Sequence, residues 1–164
     1  MLAAALALQL TATTAAPWVY VFTTTDCPIA NRYAPEINRL AAAFAGKARF
    51  MLVYSVPGDT DRRIQDHVRK FGYKIAWRRD VDQQLAKRIG VRVTPEVAIV
   101  VRTGRDDKVL YRGRIDDRYI DFGTNRPEPT VRDLERSLEA VLAGKPVPIP
   151  QTQAIGCILS DLVK

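Results

Sequence analysis

The sequence predicts one α/β domain with a central mixed β-sheet and helices on both faces. Three observations carry this. Short β-branched and aromatic runs recur along the chain, stretches with helical apolar spacing separate them, and the order β-α-β-α-β-α-β-β-α needs both parallel and antiparallel pairing. The 164 residues suffice for one domain with its own core.

Trp18 to Thr23 (WVYVFT) reads as a buried strand. A turn, TTDCP, leads into a helix from Pro28 to Phe44. Its apolar face is Tyr33, Ile37, Leu40 and Phe44, Gly46 stops it, and Pro35 kinks it by removing a ladder donor. Arg49 to Val56 is a second buried strand, broken by Pro57-Gly58-Asp59. Thr60 or Asp59 caps the next helix, which carries Ile64, Val68 and Phe71 on one face and ends at Gly72. Tyr73 to Trp77 is extended, and Asp80 to Ile89 is a short helix closed by Gly90. Glu96 to Arg102 and Lys108 to Arg114 are strands joined by a TGRDD hairpin turn. Asp116 to Pro129 is polar and long for a connection. Thr130 and Asp133 have capping-box spacing and open the last helix, with Val131, Leu134, Leu138 and Val141 on its apolar face and Gly144 at its end. Pro146, Pro148 and Pro150 keep the tail extended, and QAIGCILSDLV is apolar enough to dock.

The domain organisation expected is residues 1–16 as an extension, 17–144 as the folded domain and 145–164 as a Pro-rich tail. Leu2 to Leu10 is an apolar run of export-signal length followed by small residues, but no basic leader precedes it: the first basic residue is Arg32. An export signal, truncated at its start, or a short packed N-terminal element both fit, and the former places the domain outside the cytoplasm. No stretch is long and apolar enough to span a bilayer as a helix of the mature domain. The net charge of +7 comes from scattered basic pairs interleaved with acids, without a basic run carrying aromatics, so no nucleic-acid partner is expected. Two cysteines and one histidine are poor material for a zinc site, and no metal or organic cofactor is expected.

Chemistry centres on Cys27. It lies between a strand and a helix whose first position is Pro28, and a helix N-terminus favours a thiolate, the nucleophile of disulfide exchange and of attack on peroxide. Asp26 opposes that effect, since a neighbouring carboxylate raises a thiol pKa.

The segment CPIANRYAPEINRLA resembles the active-site helix of thioredoxins, in which a proline kinks the helix eight positions after the first cysteine, as Pro35 follows Cys27. AKRIGVRVTPEVAIVVRTGR, from Ala86 to Arg105, is similar to the thioredoxin stretch that carries the cis-proline loop. The resemblance covers about Trp18 to Gly144. It implies a thioredoxin-like fold with Pro95 as the cis-proline facing Cys27, and the backbone of Thr94 meeting an incoming peptide. The longer segment Pro57 to Asp80 is similar to the insertion of redoxins, peroxiredoxins and extracytoplasmic thiol-disulfide proteins. DCPIANRY, RGRIDDRY and GCIL resemble a bacterial group of exported redoxin-domain proteins.

The departures are specific. Ala30 stands where thioredoxins have their second cysteine, so exchange within the helix is impossible. Of the peroxiredoxin pattern, Thr24 fits three positions before Cys27. Tyr20 stands where the proline belongs, and only Arg32 or Arg118 offers itself as the arginine. The implied function is thiol-based oxidoreduction, by disulfide exchange or peroxide reduction. Partners would be protein thiols and disulfides or a small peroxide, with an external thiol reductant. The rivals are a redox-silent binding module on the same scaffold and, more weakly, a copper chaperone.

Three arrangements are open for Cys157: it resolves an adduct at Cys27, forms a permanent disulfide with it, or is a free or inter-chain thiol. Gly156 would ease a tight backbone approach there. Asp116 and Asp117 pair either as acid-base or cation-holding groups or, more ordinarily, as turn caps and arginine partners. His67 reads as a partly exposed packing residue, and Trp18 and Trp77 as core.

Overall fold

The computed structural model describes residues 15–103 and 106–159; the expected export signal lies almost wholly outside these residues, as do Gly104 and Arg105 of the hairpin turn. Five strands form the central sheet in the order β3-β2-β1-β5-β6: β1 (Trp18–Thr23), β2 (Arg49–Tyr54), β3 (Ala76–Arg79), β5 (Glu96–Thr103) and β6 (Asp106–Gly113). β1, β2 and β3 are parallel, while β5 runs antiparallel to both β1 and β6. The sheet is mixed, as the element order requires.

Period-two alternation divides the sheet between two cores. Val19, Val21, Leu52, Tyr54, Val97 and Ile99 face one side, where α2 (Ala34–Ala43) adds Ile37 and Leu40, α3 (Asp61–Phe71) adds Ile64, and α5 (Asp133–Leu142) adds Leu134 and Leu138. Phe22, Val53, Ala98 and Val100 face the other, covered by Leu85, Ala86 and Ile89 of α4 (Gln84–Ile89) and by Leu159 of the tail. Trp18 and Trp77 are half-buried and pack on these cores.

The first helix is two. α1 (Pro28–Arg32) ends at Tyr33 and α2 begins at Ala34. Pro35 has no N–H to donate to Asn31, and its ring crowds that carbonyl, so the break falls just ahead of the proline. α3 starts as expected, with the Thr60 hydroxyl accepting from the Arg63 amide, and ends at Gly72, whose φ of 66° suits a left-handed cap. α4 starts at Gln84 rather than Asp80, because the Asp80 carboxylate lies outside the helix and accepts from the Leu85 and Ala86 amides at 3.0 and 2.9 Å.

The Thr130–Asp133 capping box does not form. The Thr130 amide and hydroxyl and the Val131 amide all donate to Asp117, so α5 starts only at Asp133, whose carboxylate takes the Arg114 guanidinium at 2.7 Å. The long polar connection holds a small hairpin of β7 (Tyr119–Asp121) and β8 (Thr124–Asn125).

The tail is held at three places. The Arg112 amide donates to Pro150 O (2.9 Å), the Thr152 amide donates to Arg112 O (3.1 Å), and the Thr152 hydroxyl accepts from the Arg114 amide (3.0 Å). Further on, β9 (Cys157–Ile158) pairs antiparallel with β4 (Val93–Thr94). The Leu159 amide then donates to Arg92 O at 2.9 Å, and its side chain is buried.

Gly113, at φ 151°, makes the first anchorage possible: a Cβ there would lie 2.5 Å from Thr152 O and 2.8 Å from Thr152 N. Gly113→Ala is expected to lower stability by about 1–3 kcal/mol in urea denaturation. The same variant should raise the alkylation rate of Cys157.

Candidate functional site

Cys27 is the N-cap of α1 and is fully buried. Its carbonyl accepts the first helical bond, from the Asn31 amide at 3.0 Å, but its sulfur takes no hydrogen bond from the helix. Instead the thiol donates to Thr94 O at 3.0 Å. The nearest polar partner of this sulfur thus comes from the loop before β5, not from the five-residue α1.

That loop contains a cis Thr94-Pro95 bond, as the sequence led us to expect. Thr94 is fully buried, and its hydroxyl has no partner among the described residues. In register opposite Thr94 stands Cys157, whose thiol donates to the Cys27 sulfur across 2.9 Å. Both cysteines are free. Gly156 allows this approach, since a Cβ on it would overlap Thr94 O and lie 2.6 Å from the Thr94 carbonyl carbon. Two sulfurs 130 positions apart in sequence thus lie in contact beneath β9.

A polar frame fixes α1 beneath them. The Thr25 hydroxyl donates to Asp59 at 2.5 Å, bracing the turn before Cys27. Asp26 pairs with Arg63 at 2.7 Å, and that guanidinium holds its carboxyl below the usual range. Asn31 Oδ1 lies 2.6 Å from His67 Nε2, and the Tyr54 hydroxyl lies 2.8 Å from His67 Nδ1. Burial pushes the His67 pKa down, so the ring is neutral, with Nε2–H donating to Asn31 and Nδ1 accepting from Tyr54. His67 is buried, not partly exposed as expected, because both ring nitrogens find partners from other elements. The Tyr73 hydroxyl donates to Ala30 O at 3.2 Å.

No protein-family model and no curated protein sequence matches the chain. Among solved structures it is similar to an uncharacterized conserved protein from Geobacillus kaustophilus, at 28% identity and a TM-score of 0.74, over 89% of this chain and 77% of that one. A hypothetical protein from Sinorhizobium meliloti 1021 is similar at 26% identity and a TM-score of 0.73, over 87% and 78% of the two chains. A putative thiol:disulfide interchange protein DsbE from Chlorobium tepidum matches at 17% identity and a TM-score of 0.51, over 60% and 67%. The fold is thioredoxin-like. Ala30 is buried in α1, and the sulfur beside Cys27 comes from the tail.

The remaining sequence candidates lie apart from the sulfur pair. Thr24 is buried, with no hydrogen bond to Cys27 among the described contacts. Arg32 is exposed, and Arg118 donates to Pro127 O and approaches Glu128. Asp117 is raised by burial but more strongly lowered, to about 2, by its Thr130 and Val131 donors, which makes it the organiser of the loop before α5. Asp116 accepts from the Tyr33 hydroxyl at 2.6 Å, and burial raises its pKa. Among the described residues, no group of three or more His, Cys, Asp or Glu is placed to hold a metal ion.

Sequence reading missed Asn31, Tyr54 and Tyr73 as the frame of α1. Their signal was present only in the spacing that puts Asn31 one turn after Cys27.

Burial, with the Cys27 sulfur adjacent, pushes the Cys157 thiol up to about 12 from 9.0. The folded state thus favours the protonated thiol. This contribution is complete below pH 9 and is lost as pH rises toward 12. Under reducing conditions, the stability advantage of the wild type over Cys157→Ala should shrink between about pH 9 and 12. Denaturant midpoints measure it, and a widening gap would contradict the assignment.

Proposed function

We propose that the chain is a thiol-disulfide oxidoreductase that cycles Cys27 and Cys157 between dithiol and disulfide. The observation that carries this reading is the 2.9 Å between the two sulfurs, beside Thr94 O and the close approach of Gly156. In the reducing direction the Cys27 thiolate attacks one sulfur of a substrate disulfide. A Cys27–substrate S–S bond forms, and the other substrate sulfur leaves with the electron pair of the broken bond and takes up a proton. The Cys157 thiolate then attacks Cys27 Sγ. The Cys27–Cys157 disulfide forms, and the second substrate thiol is released. An external dithiol restores the protein pair, and the reverse sequence oxidises a substrate dithiol.

Peroxide reduction draws less support, since Thr24 is not bonded to Cys27 and Tyr20 stands where the peroxiredoxin proline belongs. A cycling pair of this kind suits an extracytoplasmic setting, where disulfides persist. That placement accords with reading residues 1–16 as an export signal. Among the described residues, no helix is long and apolar enough to cross a membrane. The substrates are protein thiols and disulfides.

Oxidation of the full chain with glutathione disulfide should yield one intramolecular Cys27–Cys157 bond, seen by mass spectrometry of the digested, alkylated protein. Cys27→Ser should prevent it. Cys157→Ser should leave a glutathione adduct on Cys27. Thiols that stay alkylatable throughout would instead favour the redox-silent module.

A further inference from the structure

β9 does more than deliver a thiol. It pairs in antiparallel register with Thr94, the backbone position that the thioredoxin resemblance gives to an incoming peptide. Its cysteine lies against Cys27, and with β9 in place Cys27 has no exposed surface. Any external disulfide that reaches Cys27 must therefore take the place of β9. The tail is built for such a departure. Residues 150–152 are fastened to β6, whereas β9 is two residues long and Ile158 is 73% exposed. Such short pairing sits at the low-stability end of a fold.

We propose that Gly156-Cys157-Ile158-Leu159 is an internal template of the substrate. The protein acts on extended peptide segments with the pattern Gly-Cys-X-Leu, X being any residue, which pair with Val93 and Thr94 in place of β9. This inference rests on the exchange chemistry proposed for Cys27 and adds its selectivity. Three features of the tail set the pattern. The residue before cysteine must be glycine, because a Cβ there would overlap Thr94 O. The residue after it points outward, as Ile158 does, and is unrestricted. The second residue after cysteine is apolar. Its amide donates to Arg92 O, and its side chain enters the core of Phe22, Leu85, Ala86, Ile89 and Val91, as Leu159 does. A groove of about 480 Å³, lined by Gly90 to Val93 together with Ile158 and Leu159, lies beside that position.

The step balances as written above. A substrate cysteine held in a disulfide becomes bonded to Cys27 while its former partner leaves as a thiol. The returning Cys157 then frees the peptide as a second thiol.

The test uses full-length Cys157→Ser, in which the peptide stays bonded to Cys27. The probe is the synthetic peptide QAIGCILS with its cysteine as a glutathione mixed disulfide, and mass spectrometry follows formation of the Cys27–peptide bond. Replacing the peptide's glycine by valine, or its leucine by serine, should slow bond formation about tenfold or more. Equal rates for all three peptides, or reaction with a small aromatic disulfide but with none of them, would overturn the template while leaving Cys27 exchange intact. A Cys27 inert to every peptide and to the small disulfide, even when Leu159→Ser loosens the tail, would overturn the exchange chemistry as well.

Discussion

The structure turns on one short pairing: β9 laid against β4, with Cys157 opposite Thr94. Because of it, the Cys27 thiol, which donates to Thr94 O on one side, has a second thiol on the other. Remove that pairing, and Cys27 is a cysteine at the start of a five-residue helix with no partner of its own in that helix. The side-chain frame below serves the same end. Asp59, Arg63 and His67 reach Thr25, Asp26 and Asn31 from the segment that follows β2, so α1 cannot shift without breaking two part-buried hydrogen bonds and an exposed ion pair. Breaking either hydrogen bond leaves buried Asp59 or His67 short of a partner, which costs about 1–3 kcal/mol.

The sheet makes this geometry possible from a distance. β1 delivers Cys27 at its carboxyl end. β5, antiparallel to β1, begins next to that end, so the Thr94-Pro95 loop arrives opposite the cysteine. β6 then returns beside β5 and offers Arg112 and Arg114 as a mooring for residues 150–152. From that mooring the tail needs only a few extended residues to reach Cys27. Gly113 and Gly156 mark where the tail backbone comes closest to the domain, and each lacks the Cβ that would keep it away.

Local features were legible in the sequence. The strands, the break near Pro35, the Thr60 cap and the Thr94-Pro95 loop depend on neighbours a few positions apart, and each is present. Features set by competition across the fold were not. Thr130 looked like a helix cap, but Asp117 takes its amide and hydroxyl. His67 looked half-exposed, but Tyr54 and Asn31 close over its two nitrogens. No local pattern told that Thr94 O, 67 positions away, would accept a hydrogen bond from the Cys27 thiol. The sequence left three states open for Cys157. The structure holds it as a free thiol 2.9 Å from the Cys27 sulfur, a nearness that no local pattern around Cys157 encodes.

The most direct test of this account is a comparison of stability between the fully reduced protein and the same protein after oxidation. A bond between Cys27 and Cys157 closes a loop of 130 positions. For a loop of that size the chain-entropy gain is about 4–5 kcal/mol at most. Urea denaturation should show the oxidised monomer more stable by a sizeable part of that amount, with the gain abolished by a dithiol reductant. An oxidised protein of unchanged or lower stability, or one linked only between chains, would contradict the placement of Cys157 on Cys27.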